Sequence, residues 1–373
     1  MMNPTLIEQL RMQLVEVFAV NSITMAKQPP DAIIFRGQLL MDSEKAFAHV
    51  RPRFEPLGYT PTFTRERDED VIKALPGLVQ VRDSNPRINL LLFVLTVAST
   101  IYVGGEHLEG FRWFDGILYA ATLLTILGAH EFGHYFMARY YQAPVTLPYF
   151  IPMPIGLGTM GAFIRLKAPF VTRKSIFDVG LAGPIAGLIF AVPLIFIGLA
   201  LSDVKSFVEI NAELARLKQL FPDTLVGVSQ EGNSIFYAVA KFLVFGKFLP
   251  NGVEDVWLSP VASAAWLGLL VTSLNLLPAG QLDGGHVAYA MLGEQARYLS
   301  WASIVGLLAL TAGLFIFRLN YPGWLLWAGL IYWIGIGHPA PLNELAPLGT
   351  PRKIIGVLSW VLFIVLFTPI PFS

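Results

Sequence analysis

Apolar and polar positions divide this 373-residue chain into two unlike parts. In the first part they alternate over short distances. Leu6, Ile7, Leu10, Leu14, Val15 and Phe18 recur at three-and-four spacing, which predicts an amphipathic helix. Glu8, Arg11 and Glu16 interrupt it, so it reads neither as a secretory signal nor as an Arg/Ser-rich transit peptide. Ala32–Gly37 reads as a strand, Asp42-Ser43-Glu44 opens a helix running through Phe47, Val50 and Phe54, and 58–64 and 70–75 read as two more short strands. The expectation for 1–87 is a small α+β regulatory or interaction domain on one face of a membrane.

Beyond Arg87 the pattern changes to long uncharged runs, at 88–105, 179–202, 256–282, 298–317, 319–337 and 354–373. About 20 apolar residues cross a bilayer, so each is a candidate span. A seventh, roughly 116–136, is apolar except for His130, Glu131 and His134. The stretch 140–164 is also uncharged but contains Pro144, Pro148, Pro152, Pro154, Gly156, Gly158 and Gly161, a density of breakers no straight helix tolerates. Such backbone is acceptable at membrane depth only where protein buries it or water reaches it, so a re-entrant, β-like segment is expected. Within the loop 202–257, the apolar part 235–248 carries Lys241 and Lys247 and reads as an interfacial helix rather than a span. The expected fold is a polytopic α-helical membrane protein of about seven transmembrane helices with a re-entrant β-like segment. To it is added the N-terminal α+β domain, leaving 88–373 as the transmembrane domain.

Composition agrees: 54% of residues are hydrophobic and 14% charged, against about 25% charged in soluble proteins. Residues 1–87 hold 11 basic and 11 acidic side chains, leaving 30 charges for the other 286 residues. A net charge of zero argues against nucleic acid as a partner, and the absence of cysteine excludes disulfides, thiolate metal sites and cysteine nucleophiles. With seven spans, Arg82, Arg87, Arg139, Arg165, Lys167, Arg173, Lys174, Arg297, Arg352 and Lys353 share the side of the N-terminus, while the opposite short connections supply mainly Arg112 and Arg318. The positive-inside rule then makes the N-terminus cytoplasmic. A bacterial cytoplasmic membrane is the expected location, since no transit peptide is recognised.

The sharpest chemistry is Gly128-Ala129-His130-Glu131-Phe132-Gly133-His134. Residues four apart lie on one helical face, so His130 and His134 can present two imidazole nitrogens to one zinc ion, with Glu131 beside them as a proton acceptor. Two buried histidines packing between helices would be the plain alternative, but a polar trio inside a lipid-spanning run is expensive unless it is bound to something. A further ligand is needed. Asp283, in Asn275-Leu276-Leu277-Pro278-Ala279-Gly280-Gln281-Leu282-Asp283-Gly284-Gly285, is the acidic residue next to the uncharged run 256–282, and the topology brings it to the same depth as His134. Pro278 breaks the helix and the glycines permit a tight turn that directs the carboxylate inward. His286 is the alternative ligand. Asn275 either stabilises a developing oxyanion or a substrate backbone, or simply bonds between helices. Gly183-Pro184-Ile185-Ala186-Gly187 reads as a small-residue packing strip that leaves the chemistry untouched, and Trp301, Trp324, Trp327 and Trp333 read as an interfacial belt.

Together, His130-Glu131-x-x-His134 in one span and Asn275-x-x-Pro278-x-x-x-Leu282-Asp283-Gly284-Gly285 in a later one resemble the site-2 protease family of intramembrane zinc metalloproteases, over about 115–290. Pro148–Pro152 and Lys174–Pro184 are similar to the cyanobacterial and plastid branch related to the ethylene-dependent gravitropism-deficient and yellow-green proteins. That branch carries Gly-Asn-Leu-Arg in its N-terminal domain, where this chain has Gly37-Gln38-Leu39-Leu40. The resemblance implies one zinc per chain on His130, His134 and Asp283, Glu131 as general base, and Asn275 placing the substrate or the oxyanion. It implies a transmembrane protein as substrate, cleaved near the cytoplasmic face after an unwound segment pairs with the β-like stretch 143–168. Membrane lipid is the other partner. A catalytically silent scaffold or chaperone of the same fold and a zinc- or proton-coupled transporter are the competing functions. The intact Glu131 disfavours the first. The gathering of polar residues at one end of two spans disfavours the second.

Overall fold

The computed structural model describes residues 4–26, 31–78, 84–107, 109–220, 230–319 and 321–372. Residues 1–3 of the expected first helix, Arg82 among the orientation-setting cations, and 221–229 of the long loop lie outside these.

The N-terminal region runs α1 (Pro4–Met12), β1 (Phe18–Met25), β2 (Ile33–Leu39), α2 (Ser43–Phe54), β3 (Tyr59–Glu66) and β4 (Glu69–Pro76). Its antiparallel sheet has the order β1-β2-β4-β3. Asp42 caps α2, its carboxylate accepting from the backbone N–H of Glu44 at 3.0 Å and of Lys45 at 3.3 Å. The expected first helix stops short, and β1 was not expected. Its run of Phe18, Val20, Ile23 and Thr24 suits a strand once β2 offers a partner, with Phe18 opposite Leu39 and Met25 opposite Ile33. Leu10, Leu14, Phe35, Phe47, Val50, Phe54, Phe63 and Ile72 form the core beneath the sheet, and Leu342 joins them from far along the chain.

The rest is mainly helical: α3 (Pro86–Gly105), α4 (Trp113–Tyr140), α5 (Arg173–Ala200), α6 (Phe207–Leu220), α7 (Ile235–Phe245), α8 (Pro260–Asn275), α9 (Asp283–Leu292), α10 (Ala296–Ile316), α11 (Gly323–Ile334) and α12 (Thr350–Leu366). Among the described residues four stretches are long and apolar enough to cross a membrane: α3, α4, α5 and the continuous run Asp283–Ile316 formed by α9 and α10. The expected runs at 256–282, 319–337 and 354–373 form the shorter helices α8, α11 and α12 instead. Proline and glycine set two of those limits. Helix α8 starts at Pro260 and ends ahead of Pro278, while α11 starts after Pro322 and stops at Gly335, whose φ is +115°. Twelve of the sixteen residues of α8 are buried, as befits a helix that is apolar all round.

Between α4 and α5 the breaker-rich stretch folds into a hairpin of β5 (Tyr149–Pro152) and β6 (Thr159–Phe163). Side chains on the neighbouring helices satisfy its irregular backbone. Asn89 Nδ2 donates to the carbonyls of Leu147 and Pro148 at 2.8 and 3.0 Å, Ser99 Oγ to Gly158 at 2.7 Å, and Tyr119 OH to Leu157 at 3.0 Å. Strands β7 (Asp203–Ser206) and β8 (Glu254–Trp257) pair antiparallel at the bases of α5 and α8. Helix α7 has the expected place and shortness, but Lys241 does not reach an interface. It is fully buried, with Nζ 3.5 Å from Glu231, 3.8 Å from Asp255 and 4.7 Å from the Tyr237 ring centroid. Trp324 also departs from the expected belt: it is buried and donates to the Pro369 carbonyl at 2.7 Å.

Helices α4, α5, α8 and α9 pack on one another. The N-terminal region sits at one end of them through the segment 342–344. Phe63 N–H donates to Leu342 O at 2.7 Å and Glu344 N–H to Phe63 O at 2.9 Å, while Leu342 and Asn343 N–H donate to the carbonyls of Phe170 and Val171 at 2.9 and 2.7 Å.

Candidate metal centre

Helical spacing stacks His130 and His134 on one face of α4. The helix α8 ends at Asn275, two residues before the Leu277-Pro278 step, and the chain turns through Gly280 (φ +54°) so that Asp283 begins α9. A Cβ on Gly284 would lie 2.0 Å from the Leu276 carbonyl oxygen, and one on Gly285 2.3 Å from that of Gly280. These two glycines therefore let the first turn of α9 close onto the loop and bring the Asp283 carboxylate to α4.

Three groups meet there. His130 Nε2 lies 3.1 Å from Asp283 Oδ2, His134 Nε2 lies 3.3 Å from Asp283 Oδ1, and the two Nε2 atoms are 3.1 Å apart. His130, His134 and Asp283 thus form a potential metal-binding group, and among the described residues no other set of three or more His, Asp or Glu converges in this way. Tetrahedral zinc with bonds of about 2.0–2.1 Å separates its ligand atoms by about 3.3–3.4 Å. The spacing fits. His134 Nδ1 is 2.7 Å from the Val179 carbonyl, which can only accept, so the ring carries its proton there and leaves the Nε2 lone pair free.

Glu131 is buried beside this group, where its carboxylate takes a hydrogen bond from the Ile164 backbone. Asn275 Nδ2 lies 3.3 Å from His130 Nε2. All five residues open onto a cavity of about 680 Å³, whose other walls come from 162–170, Gln281, Leu282 and 338–340. His286 also lines it, but its Nδ1 faces His338 Nε2 at 2.5 Å, and it stands outside the converging group.

Sequence reasoning missed the part played by α5. The strip Gly183–Gly187 does touch the chemistry: a Cβ on Gly183 would lie 2.0 Å from His134 Nε2, and one on Gly187 would lie 3.4 Å from His130 Nδ1. Next to Val179, Asp178 accepts two hydrogen bonds from Arg352 of α12, at 2.8 and 2.7 Å, and one from Tyr141 at the end of α4. Burial and the Asp178 carboxylate push the Tyr141 hydroxyl up to about 12, so it stays a donor. This clamp holds the ends of α4, α5 and α12 beside the carbonyl that orients His134. The small-residue spacing was a visible signal for the first feature. Nothing local signals the second.

The sequence profile of Peptidase family M50 matches residues 118–317. The chain is 30% identical over 266 residues to the probable zinc metalloprotease EGY2, chloroplastic, of Arabidopsis thaliana, covering 69% of this chain and 43% of that protein. It is 31% identical over 264 residues to the EGY2 protein of Oryza sativa subsp. indica, covering 69% and 44%. To the probable zinc metalloprotease EGY1, chloroplastic, of Arabidopsis thaliana it is 25% identical over 404 residues, covering 95% and 70%. The alignments thus span less than half the length of the EGY2 relatives. No solved structure matches the chain.

Proposed function

The chain belongs to Peptidase family M50, and from that premise we propose that it is a zinc metalloendopeptidase that cleaves transmembrane segments of membrane proteins. The observation that carries the reading is the meeting of His130, His134 and Asp283 beside Glu131, on helices of membrane-spanning length. His130, His134 and Asp283 would hold one zinc ion, which when bound supplies Lewis acidity and brings the pKa of a coordinated water to about 7. Glu131 takes the proton that the attacking water gives up and returns it to the leaving amine. The Ile164 N–H keeps that carboxylate in place. Asn275 presents its amide N–H to the scissile carbonyl as negative charge develops there.

A helical substrate hides its carbonyls in hydrogen bonds, so it has to unwind before attack. The hairpin β5–β6 and the extended residues that follow it offer an edge on which an unwound segment can lie. In this reading 1–87 regulates access and 88–373 carries the protease. Positive residues near the helix ends favour a cytoplasmic N-terminal region and cleavage near that face. The membrane is of bacterial cytoplasmic or thylakoid type, which fractionation distinguishes.

The test is purification in detergent, elemental analysis for zinc, and cleavage of a reporter transmembrane segment, for the native chain and for Glu131→Gln. About one zinc per chain in both, with turnover lowered by at least about a hundredfold in the variant, is expected. Well-folded native protein without zinc would refute the reading and promote the silent scaffold, whereas undiminished turnover in the variant would refute Glu131 as the base.

A further inference from the structure

Two cations line the metal cavity, Arg165 and Lys167, and neither has an ion-pair partner among the described residues. Some cations at this end of the molecule are engaged, Arg352 with Asp178, Lys174 with Glu44, and Arg36 and Lys73 with Glu66. Arg139, Arg173 and Lys353 are unpaired too among the described residues, but Arg165 and Lys167 are the two that line the cavity.

The backbone explains how the pair is presented. Thr146 N–H donates to Arg165 O at 3.1 Å, Lys167 N–H to Pro144 O at 2.8 Å, and Arg165 N–H to Thr146 Oγ1 at 3.0 Å. Residues 165 and 167 therefore turn their peptide groups toward 144–146. In extended chain alternate residues face opposite edges, so Ile164 and Leu166 turn theirs the other way. On that second edge the Ile164 N–H reaches Glu131. The same alternation places the Arg165 and Lys167 side chains on one face, about 7 Å apart. A peptide lying along the second edge, next to Glu131, would set its own same-face side chains opposite these two cations. Ala162, Leu166, Phe170 and Leu282 add apolar lining, and Gln281 and His338 are uncharged polar neighbours on the facing side.

We propose that Arg165 and Lys167 form a subsite for acidic side chains, so that the preferred substrate carries Asp or Glu where its apolar segment ends on the side of the N-terminal region. This rests on the protease reading above and names its substrate class. The selection is sharp because membrane proteins concentrate Lys and Arg at one of their two faces. Segments with such a flank at this mouth are repelled, and an acidic flank is held by cross-strand charge pairs.

The test uses three synthetic peptides, each with one Leu/Ala/Gly segment of about 20 residues, flanked at one end by Glu-Glu, Gln-Gln or Lys-Lys. Binding is measured to full-length Glu131→Gln protein in neutral detergent, and cleavage by the zinc-loaded native chain. The Glu-Glu peptide is expected to bind about tenfold more tightly than Gln-Gln, the scale of two cross-strand charge pairs, and Lys-Lys more weakly than either. Adding Arg165→Glu and Lys167→Glu is expected to invert that order, a gain for the Lys-Lys peptide that misfolding does not produce. Equal binding of the Glu-Glu and Gln-Gln peptides, or an order that survives the reversal, overturns the subsite. So does a preference confined to vesicles of anionic phospholipid, which would assign the two cations to lipid headgroups. The expected binding order without cleavage of any peptide by the native chain would support the subsite and refute the protease reading.

Discussion

Two of the buried clusters of ionisable side chains among the described residues meet the cost of burial in opposite ways. Around Lys241 the counter-charge is part of the chain. The ammonium lies between Glu231 and Asp255 and over the ring of Tyr237, whose hydroxyl donates to Glu231 at 3.0 Å. Around Asp283 no Lys or Arg is paired among the described residues. Two imidazole nitrogens and a carboxylate point at one another across 3.1–3.3 Å, with Glu131 alongside. Ionised groups leave water only when something replaces it. The first cluster is complete as folded, so it serves the fold. The second has the form of a metal-binding group, and in the proposed reading a zinc ion completes it for chemistry.

That contrast breaks most directly by removing the central group of each. Asp283→Ala is expected to lower bound zinc from about one per chain to a small fraction of that while the helices persist, read by elemental analysis and circular dichroism. Lys241→Met is expected to do the reverse. It leaves two carboxylates buried without a cation and costs about 3–5 kcal/mol of stability, read as a lowered Tm, with zinc per folded chain unchanged. If the lysine variant also sheds zinc, the clusters are not independent.

A second pair of variants sharpens the picture at the metal group. Gly183→Ala puts a methyl group where the His134 ring lies, so zinc affinity is expected to fall by about a hundredfold. Gly128→Ala, on the neighbouring helix, has no atom within 4 Å of the new Cβ and is the matched control. A smaller effect is expected from Asp178→Asn, which weakens the grip of Arg352 near Val179: about tenfold faster zinc loss to a chelator.

The mildest predictions concern pH outside the helices. Hydrogen bonds from Lys73 and Arg36 hold Glu66 below the usual glutamate range. Its contribution to the N-terminal sheet is present above the unfolded value of about 4.3 and is lost as pH falls through the lower folded value. Glu231 shifts the other way because burial raises it. Its contribution is fullest below about 4.3 and declines as pH rises toward the raised folded value. Hydrogen exchange on acidification is therefore expected to quicken in β3 and β4 and to slow around α7. Parallel behaviour of the two regions would contradict these assignments.

Much of this architecture was legible in residue order. Asp42 announced α2, and the strands at 33–39, 59–66 and 69–76 fell close to their expected places because caps and alternation are local signals. The breakers between 144 and 161 foretold a non-helical segment, which folds as the β5–β6 hairpin. Span counting was less secure. An uncharged run of twenty residues reports composition, whereas helix length depends on where Pro278, Pro322 and Gly335 interrupt it, and four stretches rather than seven keep membrane-spanning length among the described residues.

Residue order alone carried the apolar character of the chain, the spacing of His130 and His134 at one helical turn, and the break that frees Asp283. Each follows from spacing along a single segment. The tertiary structure decided that Phe18–Met25 is a strand, since its partner lies across a turn. It also decided that Lys241 and Trp324 are buried, that Gly183 underlies His134, and that Val179, steadied by Asp178 and Arg352, orients that ring. These facts depend on which surfaces meet. A side chain's immediate neighbours in sequence carry no record of an approach made by residues 8 to 174 positions away.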